Sequence, residues 1–439
     1  MRLPDLLATR KGRLTAFFML YVTEGIPLGF TATAIAAQMR RGGLGPAAIG
    51  AFVGSLYLPW AFKWAVGPFV DTFSSERFGR RRTWIFLMQV GMMATLAAAM
   101  EVDFVGQLGL FTAIIFLHNA FAATMDVAID ALAVSVLPEE ERGSANGFMF
   151  AGASIGQTIG GSGVLFLIAV MPFQSTYLFV IGTILAITVF VVLPLRENAR
   201  PALGDAAGAV RNVAREMLDF VVNAWRAFTG SRAALVGVLY AALPAGAYAL
   251  SLALQSNLAV ELGLDDNEVA QLNLYTTLIF APACILGGWL SDRFGRRSTL
   301  TIFVVLTVVP TLWLAWTMWQ AGWIMPVDMK MANRPQPSTV LIVTFWVACI
   351  VYNVFQGLYY GIRSALFMDI TTPAVVATQF TAYMALMNLC ISYTAAWQGY
   401  VVERIGYPQT LVLDSVVGLL GLALLPLMRP ATATGPAAR

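Results

Sequence analysis

Apolar positions fall into runs of about 20 residues or more, the length a helix needs to cross a hydrocarbon core of roughly 30 Å. Windows of that length mark twelve spans: 13–38, 47–70, 82–101, 105–136, 146–171, 175–195, 233–257, 269–291, 298–320, 338–368, 374–402 and 408–428. The pattern predicts an all-α membrane protein whose spans divide evenly about one polar segment. Residues 1–195 form a first six-helix bundle, 196–232 a linker and 233–439 a second bundle. The linker carries Pro201, Gly204 and Gly208 and a mildly amphipathic stretch near Val210 to Phe228, so it reads as lying at the membrane surface. The first apolar run is long and no small-x-small cleavage site follows it, which predicts a spanning helix rather than a cleavable signal.

Composition agrees and excludes other classes. The 439 residues are 58% hydrophobic and 12% charged, whereas soluble domains carry about 25% charge. Soluble enzymes, disordered chains and nucleic-acid binders are therefore excluded. With 27 basic and 24 acidic side chains, no basic stripe is available to neutralise phosphates. Cys284, Cys349 and Cys390 lie within apolar runs and read as small buried hydrophobes rather than disulfides or metal ligands. There is one histidine, no nucleophile motif beside it and no phosphate-binding loop, so neither a metal site, a cofactor, an enzymatic centre nor an ATP motor is expected.

Orientation follows from the basic residues. They gather at the amino terminus (Arg2, Arg10, Lys11, Arg13), in the 2–3 loop (Arg77, Arg80, Arg81, Arg82), at Arg142, in the linker, in the 8–9 loop (Arg293, Arg296, Arg297) and in the tail. The opposite loops hold Arg40, Arg41, Lys330, Arg334 and Arg404. By the positive-inside rule both termini and the linker face the cytoplasm.

The two bundles repeat one device. Helix 2 ends in Gly67-Pro-Phe-Val-Asp71 followed by Arg77-Phe-Gly-Arg-Arg81, and helix 8 in Gly288-Trp-Leu-Ser-Asp292 followed by Arg293-Phe-Gly-Arg-Arg297. Pro27-Leu-Gly29 and Pro244-Ala-Gly246 interrupt helices 1 and 7 at comparable positions, which points to a central site between repeats. The duplicated pattern resembles motif A of the major facilitator superfamily. The small residue lets a neighbouring helix approach, and the acid can accept bonds from another helix's terminal amides while pairing with the arginines. Gly67, Asp71, Arg80, Arg81, Gly288, Asp292, Arg296 and Arg297 are thus the candidate cytoplasmic gate, holding an outward-facing state shut from within.

The first half also resembles the AmpG-type muropeptide permeases, the acetyl-CoA transporter group and related siderophore importers. The residues that carry this are Glu24-Gly-Ile-Pro-Leu-Gly29, Leu58-Pro-Trp-Ala-Phe-Lys63-Trp, Phe78-Gly-Arg-Arg-Arg82-Thr-Trp-Ile with Gln89, Met125-Asp-Val-Ala-Ile-Asp130, Leu137-Pro-Glu-Glu-Glu-Arg142-Gly and Gly156-Gln157. A weaker match continues through Ala377-Thr-Gln-Phe380. The resemblance implies a multi-pass transporter of the bacterial inner membrane that moves a small-molecule substrate.

Each ionisable group deep in a span costs roughly 2.5–3.5 kcal/mol unless paired or wet, so those present mark a working site. At about 1.5 Å of rise per residue, Glu24 and His118 both come near the midplane. Glu24 precedes Gly25 and Pro27 and is a candidate proton or substrate-amine site. His118, with an ordinary pKa near 6.5, suits a proton relay. Asp126 and Asp130 stand four apart on one helix face, so their titrations couple. One carries the proton while the other pairs with a base such as Lys63 or the arginines of the 2–3 loop. Asp126 is read chiefly as the proton carrier and Asp130, nearer the cytoplasm, chiefly as a gate partner that can also carry the proton. Lys63 sits too deep to reach the interface by snorkelling. Tyr21, Trp60, Lys63, Gln157, Gln356, Tyr360, Arg363 and Asn388 are the candidate substrate contacts. Gln356, Tyr360 and Arg363 share one stripe, and Arg363 either binds a carboxylate or phosphate in two-pronged fashion or pairs with Asp369 at the gate.

The expectation that follows is a monomeric, proton-coupled importer of a bulky polar metabolite of the muropeptide type (GlcNAc-anhydroMurNAc). It works by alternating access with protons, substrate and bilayer as its partners. A siderophore, a coenzyme A derivative, or lipid scrambling and sensing on the same fold are the other readings.

Overall fold

The structure, a computed structural model, describes residues 5–72, 79–197, 206–229, 231–370 and 376–428. Its secondary structure is helical. In the first half, α1 (Arg10–Gly29) continues through a π-helical stretch, Phe30–Ile35, into α2 (Ala36–Arg41). Next come α3 (Pro46–Ala61), α4 (Gly67–Thr72), α5 (Arg80–Met100), α6 (Leu108–Val136), α7 (Glu139–Thr158), α8 (Val164–Ile168) and α9 (Phe173–Ile187). The connecting segment holds α10 (Ala206–Thr229). The second half comprises α11 (Arg232–Ala241), α12 (Ala253–Glu261), α13 (Asp266–Phe294), α14 (Arg296–Gln320), α15 (Thr339–Ile370), α16 (Val376–Ile405) and α17 (Tyr407–Leu420). Among the described residues, nine helical stretches are long and apolar enough to cross a membrane. Large apolar side chains such as Ile285, Trp316 and Phe190 stay exposed on their outer faces, a surface that suits lipid and not water.

Helix ends and breaks follow local chemistry. The Thr9 hydroxyl accepts from the Gly12 amide and opens α1. Pro27 removes an amide from the interior of that helix, and the wider π turns begin three residues later. Window 47–70 is not one rod. Pro59 and Pro68 flank a break at Phe62 (φ −109°, ψ 6°), and the 3-10 turn Lys63–Ala65 joins α3 to α4. Window 233–257 is likewise split, with α11 and α12 separated by a non-helical segment over 242–252. The paired interruptions expected in helices 1 and 7 therefore differ in kind: the first bulges the helix and the second unwinds it.

Small residues decide which helices meet. On α7, Gly152 and Gly156, with Gly160 one turn further on, lie against the backbone of α1 at Phe18, Val22 and Ile26. Gly25 and Gly29 of α1 lie in turn against Ala153 and Gln157. A Cβ at any of these would collide with a carbonyl, so the two backbones touch as small-xxx-small helices do in membranes. The halves meet in the same way along α3 and α16, where Gly50 and Gly54 approach Ala395 and Ser392, and Gly399 approaches Pro46.

Candidate functional site

The break after α3 presents Lys63 to α6. Its ammonium donates to Asp126 Oδ2 at 2.9 Å, with 24% of the Lys63 side chain and 4% of the Asp126 side chain exposed. The same ammonium stands 6.0 Å from the Trp60 ring centroid. One turn along α6, Asp130 Oδ1 accepts from the Tyr21 hydroxyl at 2.7 Å. Glu24, one turn further along α1, lies within electrostatic reach of Asp126, Lys63 and Asp130, and its Oε2 is buried with no hydrogen-bond partner. Three acids thus stand about one lysine, which Asp126 holds directly. A lysine among several acids can change partners when one acid takes up a proton, which is the property a coupling site needs.

Other expected residues stand elsewhere. His118 is fully buried between α6 and α5, with Nδ1 at 3.1 Å from both Thr95 Oγ1 and the Met92 carbonyl, apart from the acid cluster. Gln157 has an exposed side chain, and its backbone receives Gly29. Asn388 donates to Met384 O at 3.2 Å within its own helix. Gln356 is half-buried, and the exposed Tyr360 ring meets Phe280 edge-on at 5.5 Å.

Arg363 neither reaches Asp369 nor faces an open cavity. It is buried against the broken helix, donating to the carbonyls of Tyr240 (3.2 Å) and Leu243 (2.8 Å) and to the Tyr248 hydroxyl (2.8 Å), with Tyr240 stacked against its guanidinium. Asp414 of α17 serves the other side of the break, accepting from the amides of Tyr248 (2.8 Å) and Ala249 (2.9 Å) and from Gln398 Nε2 (2.6 Å). At Gly246 (φ +82°), a conformation only glycine adopts readily, the amide donates to Gly418 O at 2.9 Å. Unwinding leaves carbonyls and amides without helical partners, and a cation and an anion from neighbouring helices take them up.

At the end that carries the repeated motif, the contacts among the described side chains run within each half. The side chains of Asp71 and Arg80 lie outside the described ones, and Gly67 opens α4. Glu197 accepts from the amides of Arg81 (2.8 Å) and Arg82 (3.2 Å) at the start of α5, and its other oxygen stands 3.5 Å from Arg81 Nη1. The motif reading assigned this amide-capping chemistry to an acid, and here Glu197 performs it. In the second copy, Arg296 pairs with Asp369 and lies 3.9 Å from the exposed Asp292, while Arg297 donates to Met428 O. Gly288 has open space about it.

Among the described residues, buried and half-buried charged contacts between the halves sit at the opposite end. Arg40 Nη2 of α2 reaches Glu261 Oε1 of α12 at 2.6 Å, with 3% and 0% of the side chains exposed. Glu261 also accepts from the Tyr407 hydroxyl (2.5 Å) and the Val327 amide (3.0 Å), and Arg40 donates to Leu44 O at 2.9 Å. Arg41 and Gln38 both bond Asp266 Oδ1, at 2.9 and 3.0 Å, and the Ala47 amide donates to Glu403 at 2.9 Å. None of these residues was a sequence-derived site candidate. The signal available was a pair of arginines and an acid at matching ends of spans in the two halves.

Interrupted helices, ionisable groups inside apolar spans and a duplicated arginine motif are the marks of a multi-pass membrane transporter rather than an enzyme. The chain belongs to the major facilitator superfamily, whose family model matches residues 14–394 and 247–439. It is 24% identical over 427 residues to the anhydromuropeptide permease of Escherichia coli strain K12, covering 95% of this chain and 80% of that one. Among solved structures it is similar to a POT family transporter in complex with a thioalcohol-conjugated peptide (TM-score 0.69, 10% identity, 94% of this chain and 95% of that one). It is also similar to the E. coli xylose transporter in a partially occluded inward-open conformation (TM-score 0.68, 11% identity, 97% and 99% covered).

Proposed function

We propose that the chain is a proton-coupled importer of an anhydromuropeptide-like substrate, a bulky polar sugar–peptide, in the bacterial inner membrane. Twelve spans form two bundles over 1–195 and 233–439, with both termini on the cytoplasmic side. The halves rock about the α3–α16 seam to open one face at a time. The observation that carries this reading is the single lysine shared by acids at the break in helix 2: Lys63 pairs with Asp126 at 2.9 Å while Glu24 keeps a buried oxygen unpartnered. Protonation of Glu24 or Asp126 from outside, with Asp130 and Tyr21 as the adjoining relay, changes the pairing of Lys63 and biases the facing state. His118, set apart between α5 and α6, takes a packing role in this reading. Similarity to the E. coli permease over nearly the whole chain supports the substrate class.

The ion pairs that join the halves, Arg40 with Glu261 and Arg41 with Asp266, support an inward-facing arrangement here. The test is uptake of labelled anhydromuropeptide into proteoliposomes under an imposed pH gradient. Accumulation that follows the gradient supports the proposal. Accumulation indifferent to the gradient removes the coupling, and uptake of a siderophore or coenzyme A derivative in preference replaces the substrate.

A further inference from the structure

The helix between the halves, α10, has a face the fold leaves unused. Along one side it packs on the protein: Val213 is 4% exposed, and the Phe228 ring lies 5.3 Å from that of Tyr383 in α16. The same helix rests against α4 of the first half and α11 of the second. Beside that packed side, Leu218, Val221 and Trp225 recur at helical spacing and are 63%, 49% and 72% exposed. A soluble surface seldom aligns three such side chains without a partner.

We propose that this stripe seats in the headgroup region of an acidic phospholipid leaflet, with the arginines beside it as the charge-reading element. Arg215 and Arg226 are exposed on the flank beyond the apolar stripe, and Arg232 is exposed at the start of α11. Among the described side chains of this flank Asp219 is the exposed acid, so Arg215, Arg226 and Arg232 leave it net positive and complementary to anionic headgroups. Tryptophan at the edge of an apolar stripe is the side chain interfaces favour, because its ring tolerates the boundary of hydrocarbon and water. The neighbouring α11, which itself presents exposed Leu235 and Leu239, continues the apolar surface toward the spanning region. Because α10 touches α4 of the first half and α11 and α16 of the second, its seating places one lipid-anchored element across both halves.

A nitroxide at Val221→Cys, in a background where Cys284, Cys349 and Cys390 are serine, tests the seating, with Asn223→Cys in the same background as reference. In vesicles containing phosphatidylglycerol, the label at 221 is expected to be reached by oxygen and shielded several-fold from a water-soluble nickel chelate, and the label at 223 the reverse. Pure phosphatidylcholine, or the pair R215Q and R226Q, should reduce the shielding at 221. A label at 221 open to nickel, or closed to both reagents, overturns the docking face. Shielding identical in the two lipids overturns the acidic-lipid assignment. Both outcomes are read without substrate, and so stand apart from any failure of the transport reading. If the serine background does not fold, quenching of the intact protein's fluorescence by brominated lipid, compared with Trp225→Phe, reads the same seat. Equal quenching in the two overturns it.

Discussion

Arg40 and Glu261 belong to opposite halves of the chain and meet at 2.6 Å with almost none of either side chain exposed. Every polar atom of the Glu261 carboxylate is bonded, to Arg40, Tyr407 or Val327. Breaking a buried pair by removing one partner costs about 3–5 kcal/mol, whereas replacing both with apolar groups is often neutral. Arg40→Met or Glu261→Leu alone is therefore expected to lower the melting temperature in detergent and open the face at which they meet. The double substitution should recover most of the melting temperature. Thermal unfolding of the four proteins of the cycle gives the coupling, and a coupling near zero would show that the pair does not hold the halves together.

At the acid cluster, Glu24→Gln and Asp126→Asn each remove one competitor for Lys63. Accumulation driven by a pH gradient is expected to fall at least about tenfold, a barrier change of about 1.4 kcal/mol, while substrate exchange without a gradient persists. Retention of gradient-driven accumulation in both variants would place the coupling elsewhere.

His118→Gln should leave gradient-driven uptake within a few-fold of the wild type, because the ring bonds Thr95 and Met92 and touches none of the acids. A loss comparable to that of Glu24→Gln, in protein of unchanged melting temperature, would return His118 to the relay.

Arg363→Lys keeps the charge but loses the planar fork that reaches two carbonyls and a hydroxyl at once. Each buried group left unsatisfied costs about 1–3 kcal/mol, so a large fall in stability is expected despite the conserved charge. Asp414→Asn should cost less, since an amide oxygen still accepts from the Tyr248 and Ala249 amides. Monodisperse yield and melting temperature order the two variants, and the reverse order would mean that the amide side holds the break.

Much of this was legible in the sequence, for reasons that differ by residue. Spans follow from apolar run lengths because a bilayer core sets one dimension for all of them. Lys63 and Asp126 were identifiable because charge in hydrocarbon needs a partner, and the structure supplies it. The same reasoning applied to Asp414, deep in the last span, would have exposed the support of the broken helix. Two of its three partners are backbone amides, which carry no signal in side-chain pattern. Arg40 and Glu261 escaped for another cause: at the ends of spans they read as loop charges, and only the folded chain shows those ends buried against each other. Pro244 and Gly246 announced an interruption in helix 7, but whether it bends or unwinds depends on Arg363, Thr307 and Gly418 around it.

The contact of α3 with α16 places backbone on backbone at Gly50, Gly54 and Gly399. In the proposed rocking motion such a surface serves as a bearing: at these glycines no side chain has to unthread, so turning about them demands little repacking. On that proposal the resistance to switching lies in the ionic stops at its rim, among them Arg40 with Glu261, and its strength becomes adjustable by single charges without altering the axle itself.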